Sequence, residues 1–485
     1  MAMPAMDPGL DPSSREIPLF AERQKVYPRT VKGPLRRIKW AVLTVCLAIY
    51  YLAPWLRWDR GLDHPSQAFL IDMPGRRAYF LGLEIWPQEV YYIAGLLILG
   101  AIGLFFVTSL FGRLWCGFTC PQTVWTDLFM WAERLVEGDR MARVRLDQQP
   151  LSVQKLAKKA AKHGIWLAIA AATGGAWIMY FNDAPSVTRE VLTGEASTAV
   201  YFFFGLFTAT TYLLAGWARE QVCTYMCPWP RFQSAMVDEQ TLTVTYRDWR
   251  GEPRGKHRKG ESWEGHGDCV DCRACVQVCP TGIDIRDGLQ LECIGCGLCI
   301  DACDEIMDHV ERPRGLISFD TAANLIAHRE GRTAHPRLIR PRTIVYTLVM
   351  LVAAGIMLAT LLTRSGATIT ALAERNPLFI RLSDGSVSNS FVIRIQNKSA
   401  ITRHFQLTAQ GLADATVQIA EGEEPPIAVT EGVSLPVKDD GVGTFHAYVH
   451  VKHPTQTETP FTFTARARED GETVTYKTTF RGPAR

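Results

Sequence analysis

Five stretches of this 485-residue chain stay apolar for longer than most soluble helices do: residues 38 to 56, 89 to 111, 164 to 181, 199 to 218 and 343 to 363. A helix needs about 20 such residues to cross the hydrocarbon core of a bilayer, so each is read as a membrane span. For the third, rich in Ala and Gly, a buried core helix is the alternative. The connections between them differ in charge. Residues 1 to 37, 113 to 163 and 219 to 342 hold seven, nine and seventeen Lys or Arg, whereas 57 to 88 holds four and 182 to 198 only Arg189. Because basic loops stay inside, five spans with a cytoplasmic N-terminus and an external C-terminus are expected. Residues 1 to 37 lack the apolar core of a cleavable signal and read as a flexible basic cytoplasmic tail on the membrane surface. A net charge of +3 is too small for a polyphosphate-binding surface and excludes a dedicated nucleic-acid binder.

Past the last span the pattern changes period. Residues 376 to 485 contain runs such as Phe391-Val392-Ile393-Arg394-Ile395 and Phe445-His446-Ala447-Tyr448-Val449-His450-Val451, separated by turn signals at Ser383-Asp384-Gly385, Asp439-Asp440-Gly441 and Glu469-Asp470-Gly471. Alternation of this kind predicts seven or so short strands in an antiparallel sandwich of immunoglobulin type.

Thirteen cysteines mark the chemistry, and eight of them fall between Cys269 and Cys303. Cys269-x2-Cys272-x2-Cys275-x3-Cys279-Pro280 is followed by Cys293-x2-Cys296-x2-Cys299-x3-Cys303. Three thiolates on one tight loop grip three corners of a cubane cluster, and in two-cluster ferredoxins the fourth ligand comes from the other run. Two 4Fe-4S clusters are therefore expected in a ferredoxin domain of about 260 to 320, inside a cytoplasmic region of 219 to 342. One would be held by Cys269, Cys272, Cys275 and Cys303, the other by Cys293, Cys296, Cys299 and Cys279. Zinc prefers separated Cys-x2-Cys pairs to three cysteines in a row. Asp304 stands where a second Pro would follow Cys303 and is expected to shift the local turn; Asp268, Asp271 and Asp284 read as solvated charges near the clusters. The basic run from Arg247 to Lys259 reads as a contact with the inner membrane surface.

Four more cysteines form two Cys-x3-Cys-Pro motifs, Cys116 with Cys120 and Cys223 with Cys227. Both partners are offset by 107 residues (223 − 116 and 227 − 120), the sign of a repeated span-plus-motif unit on one side of the membrane. Each Pro biases the cysteine before it out of helical geometry. Four thiols with Met226 nearby make a soft ligand set suited to Cu(I), and a site that favours Cu(I) promotes the reduction of Cu(II). A third cluster, or a buried packing role, is the alternative. Cys46 reads as a small apolar residue. His446, His450 and the nearby His453 could form an outer copper site, with His64 a weaker candidate.

With these residues in view the chain resembles the cytochrome c oxidase accessory proteins known as CcoG, FixG or RdxA, over nearly its whole length. The resemblance is carried by Trp55-Leu56-Arg57-Trp58-Asp59-Arg60-Gly61, by Leu110-Phe111-Gly112-Arg113-Leu114-Trp115-Cys116-Gly117 continuing to Cys120-Pro121-Gln122-Thr123-Val124-Trp125, by both four-cysteine runs, and by Cys303-Asp304-Glu305-Ile306-Met307. It implies a bacterial inner-membrane protein that reduces Cu(II) to Cu(I) for assembly of a cbb3-type oxidase, with two 4Fe-4S clusters and an immunoglobulin-like outer domain. Oxidase subunits, or copper chaperones or a copper transporter, would be its partners beside the lipid, and its electron donor is unidentified.

The architecture expected is thus a multi-domain integral membrane protein: a five-helix transmembrane domain, an α+β two-cluster ferredoxin domain and an all-β C-terminal sandwich. Two other readings stand beside cupric reduction: a quinone-coupled electron relay like the membrane ferredoxins of nitrate reductase systems, and a non-enzymatic redox sensor or scaffold. No Gly-x-Gly-x-x-Gly or Walker A run is present to cradle a nucleotide, and no histidine falls inside a span to hold a bis-histidine haem.

Overall fold

Where the sequence turns apolar, the backbone turns helical. The computed structural model describes residues 25–61, 64–258, 260–332, 336–399, 401–420, 426–428, 434–452, 454 and 456–483; most of the tail, residues 1–24, and His453 lie outside them. The chain divides into two units, residues 1–357 and 358–485.

In the first unit α1 (Pro34–Leu52) runs on as a short 3-10 turn to Trp55, and a small meander follows: β1 (Phe69–Asp72), β2 (Arg77–Phe80) and β3 (Leu83–Ile85). The loop motif around Arg60 has a structural task, because its guanidinium donates to the carbonyls of Pro65, Gln67, Ala68 and Leu81 and so closes the meander. Next come α2 (Tyr91–Phe111), α3 (Leu114–Phe118), α4 (Pro121–Glu137), α5 (Arg140–Gln148), α6 (Val153–Met179), α7 (Ala184–Thr193) and α8 (Thr198–Thr211). The last continues as a π-helix over Tyr212–Ala218, and a second π turn at Val222–Met226 leads to α9 (Trp229–Met236).

Among the described residues, four helices are long and apolar enough to cross a membrane: Pro34–Trp55, Pro87–Phe111, Thr198–Ala218 and Pro341–Leu362. The stretch at 164 to 181 is the C-terminal part of α6, which starts eleven residues earlier in Lys-rich sequence. Its Ala and Gly serve close packing: a Cβ on Gly174 would come within 2.7 Å of the Phe204 carbonyl oxygen on α8. Trp166, Ala170 and Ala176 are all buried. Its other face, with Leu167 and Trp177, is exposed, and the lysines of its first turns are what set α6 apart from the other four.

The cysteine-rich module is built on β4 (Thr243–Tyr246), which pairs antiparallel with β5 (Ile317–Asp320), Val244 opposite Phe319 and Tyr246 opposite Ile317. Between them lie α10 (Asp248–Gly251), α11 (Ala274–Val278) and α12 (Leu298–His309); α13 (Ala322–Arg329) and α14 (Pro341–Leu362) follow. Val244, Tyr246, Met307, Leu316 and Ile317 share one core with Cys269, Cys275 and Cys303. The module therefore begins at Thr243 and not near 260, since its first strand closes the sheet beneath the cysteines.

The N-terminal segment from Lys25 is docked, contrary to the expectation of a flexible tail there. Arg29 N–H donates to the Gln277 carbonyl at 2.7 Å, Thr30 Oγ1 to Asp139 at 2.7 Å and Tyr27 Oη to Asp147 at 2.7 Å. The segment then enters α1, whose free Leu35 and Arg36 amides donate to Asp301 of α12, at 3.2 and 2.7 Å. A carboxylate there satisfies helix N-terminal donors.

The second unit is a two-sheet sandwich. One sheet runs β11 (Ile427–Ala428), β10 (Ala415–Ala420), β13 (Val442–Val451), β8 (Val387–Asn397), β6 (Ala367–Ala373), with β7 (Ile380–Arg381) also on β8. The other runs β12 (Leu435–Val437), β9 (Arg403–Gln410), β14 (Glu458–Ala467), β15 (Thr473–Arg481). Phe391, Ile393 and Ile395 face Phe405, Phe463 and Phe480 in its core, and Gly385, Asp440 and Gly471 make the expected turns with positive φ. The sandwich starts at Ala367 and not at 376: β6 alternates in burial, but it follows a membrane helix so closely that its apolar residues merge with the span. Ten described strands replace the seven or so expected. His446 and His450 share a face of β13, yet four residues at about 3.3 Å each hold them about 13 Å apart, too far to share an ion.

Candidate metal centres

Each four-cysteine run winds its thiols around a cavity by two left-handed residues at matching positions. In the first run these are Asp271 (φ 48°) and Arg273 (φ 54°); in the second, Gly295 (φ 68°) and Gly297 (φ 69°). Cys269, Cys272, Cys275 and Cys303 line one cavity with Tyr246, Met307, Leu316 and Ile317. Cys279, Cys293, Cys296 and Cys299 line another with Ile283 and Ile285, and Cys275 borders both. Each run thus sends its last cysteine to the other run's cavity, the crossing the spacing predicts. Burial pushes the Cys275 and Cys293 thiols up to about 12, so as free groups they stay neutral at pH 7. Four converging sulfurs and no carboxylate or imidazole in either wall form a donor set that fits a 4Fe-4S cluster in each cavity.

Asp304 does not shift a turn, because there is none: Cys303 lies within α12 and the helix runs on to His309, with Asp304 accepting from the Gly315 amide at 2.8 Å. Proline would break this helix. Nor are the neighbouring acids simply solvated. Asp268 is buried between the guanidinium groups of Arg250 and Arg312, and Arg286 joins Asp271 and Asp284, each at 2.6 Å. Arg247 likewise pairs with Asp320 of β5, so this end of the basic run braces the module.

The two Cys-x3-Cys-Pro motifs fold alike. Cys116 and Cys223 sit in single helical turns, whereas Cys120 (ψ 129°) and Cys227 (ψ 122°) are extended, as the following Pro requires. The four thiols are near enough to act on one another electrostatically: burial first, then the Cys120 and Cys227 charges, raise Cys116 to about 11 and Cys223 to about 12. Cys116 Sγ donates to Gln233 Oε1 at 3.2 Å; Gln233 is itself fully buried. Met226 is 61% exposed, unlike the partly buried thiols.

This thiol group lies against the second cysteine run. Cys116 and Cys223 pack on Ala274, Val278, Ile294, Cys296 and Leu298, and a Cβ on Gly117 would stand 2.9 Å from the Cys296 Cα and N. Arg113 fastens the seam, donating to the carbonyls of Leu291, Cys293 and Pro230. Behind it, buried Asp127 on α4 pairs with Arg36 and Lys39, both at 3.1 Å, and buried Glu133 pairs with Arg143 and Arg219 at 2.8 and 2.9 Å. Sequence reading missed these acids. The signal was available: Asp127, Glu133 and Glu137 recur on α4 among Trp, Phe and Met, where a solvated helix face would carry fewer aromatics.

Two four-cysteine cavities in one module, joined to helices long and apolar enough to cross a membrane, define a membrane-bound iron–sulfur protein of ferredoxin type. The family model for a 4Fe-4S dicluster domain matches residues 218–322, and one for a 4Fe-4S binding domain matches 93–137, the stretch around Cys116 and Cys120. The model for the IG-like fold at the C-terminal of FixG matches 357–483. The chain is 49% identical to nitrogen fixation protein FixG of Rhizobium meliloti over 454 residues, 87% of each chain. It is 50% identical to protein RdxB of Cereibacter sphaeroides over 423 residues (86% and 88%), and 47% identical to protein RdxA of the same organism over 435 (89% and 90%). It belongs to the FixG/RdxA family.

Proposed function

We propose that this chain reduces Cu(II) to Cu(I) at Cys116, Cys120, Cys223 and Cys227, for delivery to a cbb3-type oxidase under assembly. The observation that carries the reading is the contact of these thiols with the Cys293–Cys303 run through Gly117 and Arg113. In this reading Cys269, Cys272, Cys275 and Cys303 hold one 4Fe-4S cluster and Cys279, Cys293, Cys296 and Cys299 the other. When bound, such clusters supply one-electron reducing equivalents. The four sulfurs bind copper, and their softness favours the monovalent ion, so one electron converts Cu(II) to Cu(I) within a ligand set that already prefers the product. Gln233 holds Cys116 in place, and Arg113 keeps the thiol loops against the cysteine module. With α6 as a fifth span, the charge of the connections sets the N-terminus and cysteine module in the cytoplasm and the sandwich outside.

The test is anaerobic. Purified protein is reduced, Cu(II) is added, and cluster absorbance is followed against Cu(I) captured by a chromogenic chelator. The reading expects stoichiometric Cu(I), lost in a Cys116/Cys120/Cys223/Cys227→Ser variant that retains its iron. Clusters that stay reduced in the presence of Cu(II) would overturn it and leave a redox sensor or scaffold as the better account.

A further inference from the structure

Behind the thiol loops the first unit forms a second kind of cavity, a half-open cleft of about 440 Å³, within the size usual for small-molecule sites. It lies where the apolar helix Thr198–Ala218 ends and charged sequence begins. One wall is aromatic: Trp217 stacks on His163 with ring centroids 5.8 Å apart, and Trp166 meets His163 edge-on at 5.1 Å. Tyr212 Oη holds His163 Nδ1 at 2.9 Å, which leaves Nε2 as the nitrogen to meet a ligand.

The rest of the lining is charged, with Lys162 and Arg219 lying over the buried Trp166 ring at 4.8 and 5.1 Å, and its cations are already paired. Lys25 and Lys159 each stand 2.6 Å from Asp147, Lys162 is 3.0 Å from Glu137, and Arg219 is 2.9 Å from Glu133. Such a wall offers hydrogen bonds without a surplus charge, which suits a neutral polar ring better than a phosphate. Two local irregularities shape it. Tyr212–Ala218 is π-helical and Arg219 has φ +38°, features that persist in folds mainly where a site needs them. The same segment continues directly into Cys223, and Gln122, two residues after Cys120, donates to the carbonyls of Leu214 and Arg219 at 2.9 and 3.3 Å. The cavity wall and the thiol site are thus one continuous piece of backbone.

We propose that this cavity binds the head ring of a membrane quinone, with the half-exposed Trp217 against the ring, His163 Nε2 on a ring oxygen, and the tail leaving along the apolar helix. The proposal rests on the copper reading above and names the class of its reductant. One hydroquinone becomes quinone by breaking two O–H bonds, releasing two protons and two electrons, and two Cu(II) each take one electron to give two Cu(I). His163 and the carboxylates of the charged wall stand where the protons leave.

The full-length protein, cluster-loaded and in quinone-free nanodiscs of phosphatidylcholine, is titrated with decylubiquinone while tryptophan fluorescence is read. Saturable quenching is expected, with Kd raised at least fivefold in Trp217→Ala and in His163→Gln, each checked for unchanged cluster absorbance. The four-serine thiol variant is expected to bind decylubiquinone like the wild type, so this site and the copper reading fail separately. Copper reduction with dithionite as donor but no saturable quinone binding overturns the site alone. Equal binding in wild type and both cavity variants, or displacement of decylubiquinone by phosphatidylglycerol, also overturns it, the latter in favour of a lipid headgroup.

Discussion

The two cysteine runs share their spacing and their backbone path but not their surroundings. In the first, the left-handed positions are Asp271 and Arg273; Arg273 and Cys272 are exposed, and Asp271 turns to Arg286 at the surface. In the second they are Gly295 and Gly297, where a Cβ would meet the Arg113 backbone at 3.1 Å and Leu35 Cδ1 at 2.7 Å. Identical backbone strain is thus tolerated with side chains on the open loop and relieved by glycine on the loop pressed to the helices. The difference assigns directions: the loop of the first run opens to solvent, and that of the second is pressed against Arg113 and Leu35.

The largest effects test the crossing and the seam. Cys303→Ser is expected to disturb the cluster of the open run and Cys279→Ser that of the buried run, each acting on the loop it does not belong to; EPR of the two reduced centres distinguishes them. Gly117→Ala forces a methyl against the Cys296 backbone, which has no flexible side chain to yield. Iron analysis is expected to show loss of the buried centre with the open one retained; full iron content would mean the seam is looser than the contact implies.

Next in size is Asp127→Ala. It leaves Arg36 and Lys39 buried without their counter-ion, a change that costs about 3–5 kcal/mol and is read as a lower midpoint in thermal unfolding. The thiol group adds a pH effect. With Cys116 raised to about 11 and Cys223 to about 12, both are protonated at pH 7, and the copper proposed to bind there would displace their protons. Cu(I) affinity is therefore expected to climb with pH, about tenfold per unit for each proton displaced, in a competition titration between pH 6 and 9. The smallest effect is Arg273→Gly, which removes left-handed strain from the open loop. A gain of no more than about 1 kcal/mol is expected, against a loss for the reverse change, Gly297→Arg.

Much of this was legible because it is local. Cys-x2-Cys-x2-Cys spacing fixes a cluster loop within seven residues, the 107-residue offset exposes the thiol repeat, and alternation in Phe391–Ile395 gives both strand and inner face. What stayed hidden depends on distant partners. β4 shows its role only through β5, 74 residues on; the docked segment from Lys25 is held by Asp139 and Asp147, more than 100 residues away. Asp268 looked solvated because its two arginines lie 18 and 44 residues off. Hydropathy alone left α6 between two readings, since a helix enclosed by protein and one in lipid differ in neighbours more than in composition.

The grip of Asp301 on the amides of Leu35 and Arg36 has a bearing on biogenesis. The ribosome delivers the first apolar helix 265 residues before the carboxylate that finishes its N-terminal end, and Asp127, which neutralises the next turn, comes 91 residues after Arg36. Until the cysteine module has folded, the start of that helix carries open amides and surplus positive charge. The first apolar helix is therefore completed only when the cysteine module folds, and the two parts of the chain mature as one.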